Sequence, residues 1–79
     1  MGRTRRRHPK HLRRKLLTIR QRLEMSQTQM AKALDLQVHY SAVSNYELGT
    51  REPDLLTILK YAKLAGVSTD ILLDDKRML

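Results

Sequence analysis

The sequence predicts an all-α domain of five short helices packed around one aliphatic core. Three observations carry that reading. Apolar residues recur at steps of three and four along most of the chain. No stretch alternates apolar and polar residues as a half-buried strand would. Residues that start or stop helices, namely Ser26, Asp54, Ser68, Gly49 and Gly66, fall between the apolar stripes.

The elements follow in order. Residues 1–9 lack apolar periodicity and read as a disordered basic arm. Pro9 suits a first helical turn, and Leu12, Leu16, Ile19 and Leu23 form one stripe, predicting a first helix over about 10–23. Its outer face is expected to carry Lys10, Arg13, Arg14, Arg20 and Arg22. Ser26 with Gln29 three residues later is a capping box, opening a second helix over about 27–34 with Met30, Ala31 and Leu34 inward. A third helix is expected over about 40–48, with Val43, Tyr46 and either Ala42 or Leu48 inward, stopped by Gly49. Asp54 caps a fourth helix whose broad apolar face includes Leu55, Ile58, Leu59, Ala62 and either Leu64 or Ala65. Gly66 ends it, and Ser68 is expected to cap a fifth over about 69–73, with Ile71 and Leu72 inward. The domain is thus read as residues 10–75, with 76–79 a fraying tail.

Composition narrows the function classes. The chain has 79 residues, 41% of them hydrophobic, and three tyrosines are its only aromatics. A core of that size supports roughly 3–5 kcal/mol of stability. There is no Cys, which excludes disulfides and thiolate metal sites. No apolar run reaches the roughly 20 residues a membrane helix needs. The first residues lack the apolar segment of a secretory signal, and a cytoplasmic, nucleoid-associated location is expected. Net charge is +8 and unevenly placed. Residues 1–22 hold ten cations and no acid, whereas residues 23–79 hold six cations and eight acids. That asymmetry points to a polyanionic partner, and the excess of Arg over Lys in the run suits phosphate.

Helices 2 and 3 are short and close in sequence, the pattern of a helix-turn-helix. Tyr40, Ser41, Ser44 and Asn45 fall on one side of helix 3. They are neutral, short-reaching and free of acids, a face able to enter a negatively charged groove and bond base edges.

The stretches "MSQTQMAKAL", "SAVSNYELGTREP" and "LLTILKYAKLAGVSTDILL" resemble the phage-repressor, or xenobiotic-response-element, type of helix-turn-helix protein over about residues 12–73. The resemblance implies a lambda-repressor-like fold and a sequence-specific, DNA-binding transcriptional regulator acting as a homodimer on an operator. It implies that Gln27 meets a DNA phosphate, aided by the helix N-terminus. Tyr40 and Ser41 would read bases, with Ser44 and Asn45 one turn later. Asn45 could pair with adenine. Arg51 would hold a phosphate. Glu47 would pair with Arg20, seven residues before Gln27, clamping helix 1 to the end of helix 3. The chain departs from the family in the turn. Asp35 stands where a Gly is usual, the link is about two residues longer, and His39 takes the place of a small polar cap. Ser41 could then become the cap instead of a base reader.

The arm, with Arg5, Arg6 and Arg7, has the composition of an extension that follows phosphates or enters a minor groove. No nucleophile–base pair, phosphate-cradling loop or metal cluster is evident, so a non-enzyme without cofactor is expected. His8 and His11 are three residues apart, but no third metal ligand accompanies them. Two other readings stand beside the regulator. One is an antitoxin, using the same fold and also holding a toxin protein. The other is a binder of RNA or anionic surfaces through the arm and helix 1 alone.

Overall fold

The computed structural model describes residues 9–35 and 41–79. These form α1 (Leu12–Arg22), α2 (Gln27–Ala33), α3 (Ser41–Leu48), α4 (Leu55–Ala65) and α5 (Thr69–Leu73), with no strand among the described residues. α1 is central, packing against α3, α4 and α5, while α2 rests on α3 and α5 on α4. The core comprises Leu12, Leu16, Ile19, Met30, Ala31, Leu34, Ala42, Val43, Tyr46, Ile58, Tyr61, Ala62 and Leu72. Leu16 is wholly buried there, and truncating such a side chain to Ala costs about 2–5 kcal/mol.

Several helix boundaries have a local cause. Ser26 Oγ accepts from the Gln29 N–H at 3.0 Å, and Gln29 Oε1 accepts from the Ser26 N–H at 2.7 Å, a complete capping box. Asp54 Oδ1 accepts from the Thr57 N–H at 2.8 Å and opens α4. α1 ends at a left-handed Glu24 (φ 56°), with Met25 N–H bonding Arg20 O and Glu24 N–H bonding Gln21 O. α3 repeats that pattern at Gly49 (φ 82°) and α4 at Gly66 (φ 72°). Asp35 is also left-handed, at φ 56°. Asp tolerates that region better than most residues, so the chain turns out of α2 without the expected Gly.

The structure departs from the sequence-based expectation in several places. Pro9 lies outside α1, whose N-cap His11 makes no side-chain cap. Asp75 caps it instead: its Oδ2 accepts from Lys10 N–H at 3.0 Å and its Oδ1 from His11 N–H at 3.1 Å. The last residues therefore dock rather than fray, and Leu79 packs against the core. Ser68 occupies the α5 N-cap position, but its side chain forms no capping bond. Leu23 and Ile71 are only half-buried. Between Ala42 and Leu48, Ala42 is the one that faces inward. On α4 the buried face is Thr57, Ile58, Tyr61 and Ala62, whereas Leu55 and Leu59 are exposed. Tyr61 took the place assigned to leucines because positions 58, 61 and 62 share the side facing α1 and α5.

The cations of α1 are placed differently from a simple outer face. Lys15 is buried, and its Nζ donates to Ile71 O at 2.6 Å and Asp74 O at 3.0 Å at the end of α5. Arg13 Nη1 donates to Leu48 O at 3.1 Å at the end of α3. From α4, Lys60 Nζ donates to Leu34 O at 3.0 Å at the end of α2. Three helix C-termini, each carrying partial negative charge, are thus closed by a cation from another element. Part of the charge that suggested a polyanion instead satisfies the protein's own carbonyls.

Candidate nucleic-acid interface

α3 supplies the centre of the candidate site. Ala42, Val43 and Tyr46 are buried, which turns the opposite side outward. Ser41 is exposed there, and Ser44 and Asn45 are half-buried beside it. Ser41 is the first residue of α3. Tyr40 and His39, like Arg5, Arg6, Arg7 and His8, lie outside the described residues. Leu48 lies one turn beyond Ser44 and is 61% exposed, so it extends the same side with an apolar surface. The sequence offered Leu48 as a core residue; the 41, 44, 45, 48 spacing was the signal that it shares the open side.

Asn45 is held in place by its surroundings. Its backbone carbonyl closes the end of α3 by accepting from Gly49 and Thr50 N–H, both at 3.0 Å. Thr50 Oγ1 lies 3.2 Å from Asn45 Oδ1 and donates toward it. That contact orients the amide, whose oxygen has a second lone pair and whose nitrogen carries two N–H groups.

The helix's acid is turned away from the open side. Glu47 is 6% exposed and accepts from Arg20 Nε at 2.6 Å and from Arg20 Nη2 at 3.1 Å, a forked ion pair. Arg20 Nη1 also donates to Met25 O at 2.9 Å. The hydrogen bond to Glu47, ahead of the pair's charge attraction, holds the Arg20 guanidinium still further above its ordinary range. Gln27 joins the cluster, its Nε2 donating to Glu47 Oε1 at 3.1 Å. One group of three side chains therefore ties α1, α2 and α3 together. It leaves a second Gln27 Nε2 N–H for another acceptor.

Around this centre, Arg51 is exposed just beyond α3. Lys10, Arg13 and Arg51 line a shallow cleft between the start of α1 and the Gly49–Pro53 connection. Gly49 is required there twice over. Its φ of 82° disfavours a side chain, and an added Cβ would lie 2.9 Å from Arg13 Cδ. Arg13 is thus packed along the end of α3, a role that neither charge nor periodicity had suggested.

Tyr61 lies beneath the cluster, fully buried, and its hydroxyl has no hydrogen-bond partner among the described residues. Burial, with Glu47 nearby, pushes its ionisation well above the ordinary range, so it stays neutral. Among the described residues no three His, Cys, Asp or Glu gather as a metal site, and no helix is long and apolar enough to cross a membrane.

Comparison with known proteins identifies the family and the fold. A family described as helix-turn-helix matches residues 16–72. No curated protein matches the sequence. Among solved structures, the chain is similar to the P22 c2 repressor protein crystallised with synthetic operator 9T in the presence of Tl+. The TM-score is 0.71 at 25% identity, over 81% of this chain and 94% of that one. The match spans α1 to α5 and includes the Arg20–Gln27–Glu47 cluster. The chain belongs to the helix-turn-helix family of the phage-repressor, xenobiotic-response-element type, whose fold is that of DNA-binding regulators rather than enzymes.

Proposed function

We propose that the protein is a sequence-specific transcriptional regulator that lays α3 in the major groove of an operator as a homodimer. The observation that carries this is the inward neutralisation of Glu47 by Arg20, which leaves the outward side of α3 with Ser41, Ser44 and Asn45 and no bare acid. Such a side can approach the groove without repulsion. Asn45 pairs with an adenine edge and Ser41 and Ser44 bond neighbouring bases, with Tyr40 beside them. Gln27, oriented by Glu47, and Arg51 hold flanking phosphates, contacts that set register rather than sequence. Arg5, Arg6 and Arg7 add phosphate contacts, each contributing close to one unit of salt slope. The likeness to a repressor seen with its operator supports the same docking.

The test is selection of bound duplexes from a random pool, followed by Asn45→Ala and Ser41→Ala. A changed base preference is expected for each, with losses of about 1–3 kcal/mol at the affected base pair. Deleting residues 1–9 should weaken binding and flatten its salt dependence while keeping the preference. Complete loss of affinity on that deletion would instead show a binder that works through the arm alone. Equal retention of all duplexes by the intact protein would remove the reading altogether.

A further inference from the structure

Two cations of α1 are used neither by the fold nor by the open side of α3. Arg13 and Lys15 bond carbonyls at other helix ends, and Arg20 bonds Glu47. Arg14 and Arg22 are exposed, and neither side chain has a hydrogen-bond or ion-pair partner among the described residues. Two residues along a helix correspond to about 200° of turn. Position 22 therefore stands opposite position 20, and 11 opposite 13, while 13 and 20 are the positions that reach α3. α3 turns its buried side toward α1 and its open side away. A duplex lying along α3 does not meet this far side of α1.

Arg14 and Arg22 are not scattered there. His11, Arg14, Thr18 and Arg22 line one groove, closed along its other wall by Met78 and Leu79. Lys15 also borders it, but its Nζ is already bonded to Ile71 O and Asp74 O. No acid lines the groove, so its charge is uncompensated and its far wall is apolar. Its volume is about 270 Å³, less than the roughly 300–1,000 Å³ of a site that encloses a small molecule.

We propose that this groove docks an acidic segment of a partner protein, laid along α1 in extended form. The spacing decides the pattern. Arg14 and Arg22 are eight helical residues apart, a rise of about 12 Å. In an extended strand, side chains four residues apart share a side and stand about 13 Å from one another. Carboxylates at the first and fifth residues of the segment thus meet the two guanidinium groups. The third residue shares their side and arrives midway, at Thr18, beside Met78 and Leu79, where an apolar side chain fits. A phosphate backbone supplies the charge but nothing to cover the apolar wall. The proposal does not depend on how α3 is used.

The probe is the synthetic peptide Glu-Ala-Leu-Ala-Glu, blocked at both ends and titrated into the full chain by heteronuclear NMR, a method suited to the weak binding that two exposed ion pairs give. Shifts should concentrate at His11, Arg14, Thr18, Arg22, Met78 and Leu79. Arg14→Ala/Arg22→Ala should weaken binding about three- to tenfold. Lys32→Ala/Lys63→Ala removes the same charge from other exposed positions and should leave the affinity unchanged. Both variants should melt with the parent. Replacing the peptide's Leu by Ser should weaken binding about threefold or more. Equal losses in the two charge-matched variants, or shifts confined to the arm, would overturn the proposal by showing attraction to net charge alone. Equal binding of the Ser peptide would overturn it in favour of a bare anion site. A short random-sequence duplex that displaces the peptide from these residues would overturn it in favour of a nucleic-acid groove.

Discussion

The forked pair between Arg20 and Glu47 makes the sharpest quantitative prediction. Glu47 is 6% exposed and receives three hydrogen bonds, two from Arg20 and one from Gln27. Glu47→Gln keeps the shape but removes the charge and turns an N–H group toward donors. Removing one partner of a fully buried pair costs about 3–5 kcal/mol. The Arg20 side chain is 18% exposed and can recover some hydration, which places the expected loss below that range, at about 2–3 kcal/mol. For a domain of this size, each kcal/mol moves the melting midpoint by about 4–8 °C. A drop of roughly 10–20 °C should follow in circular dichroism melts. The Arg20→Met/Glu47→Gln double variant separates the pair from its parts. It should be more stable than the two single losses added together, with a coupling of about 1–3 kcal/mol. Single losses below about 0.5 kcal/mol, or strictly additive effects, would refute the argument that this pair holds α1 to α3.

Three further outcomes are expected. Gly49→Ala forces a Cβ into the left-handed region and against Arg13, so urea denaturation should show a loss of about 1–2 kcal/mol or more. Tyr61→Phe removes a buried hydroxyl that has no partner among the described residues, so the variant should be as stable as the parent or up to about 1–3 kcal/mol more stable by the same measurement. Asp75 is held below the ordinary carboxylate range by the Lys10 N–H and then the His11 N–H, and Asp54 by the Thr57 N–H. A carboxylate depressed in the folded state stabilises it above the unfolded value of 3.8 and loses that contribution as pH falls through the lower folded value. Melting midpoints should therefore fall below about pH 4, and the fall should be shallower in Asp75→Asn.

The sequence by itself determined what is local. Helix stripes, the Ser26–Gln29 box, the Asp54 cap and the glycine stops each depend on residues within a few positions of one another. They could be read from spacing alone, and so could the acid-free side of α3. The Arg20–Glu47 pair lies 27 residues apart, and it was legible only because its motif resembles a known family's. Tertiary structure decided whatever depends on distant chain coming together. Lys15, Arg13 and Lys60 look like solvent-facing cations, but their partners are carbonyls 26 to 59 residues away. Asp75 caps a helix 64 and 65 residues earlier. Leu55 and Leu59 read as core on spacing, yet both stay exposed because the face of α4 that meets α1 and α5 is that of Ile58, Tyr61 and Ala62. Backbone carbonyls are the same in every sequence, so no residue pattern announces which cation will reach which helix end; only the packing angles of the helices settle that.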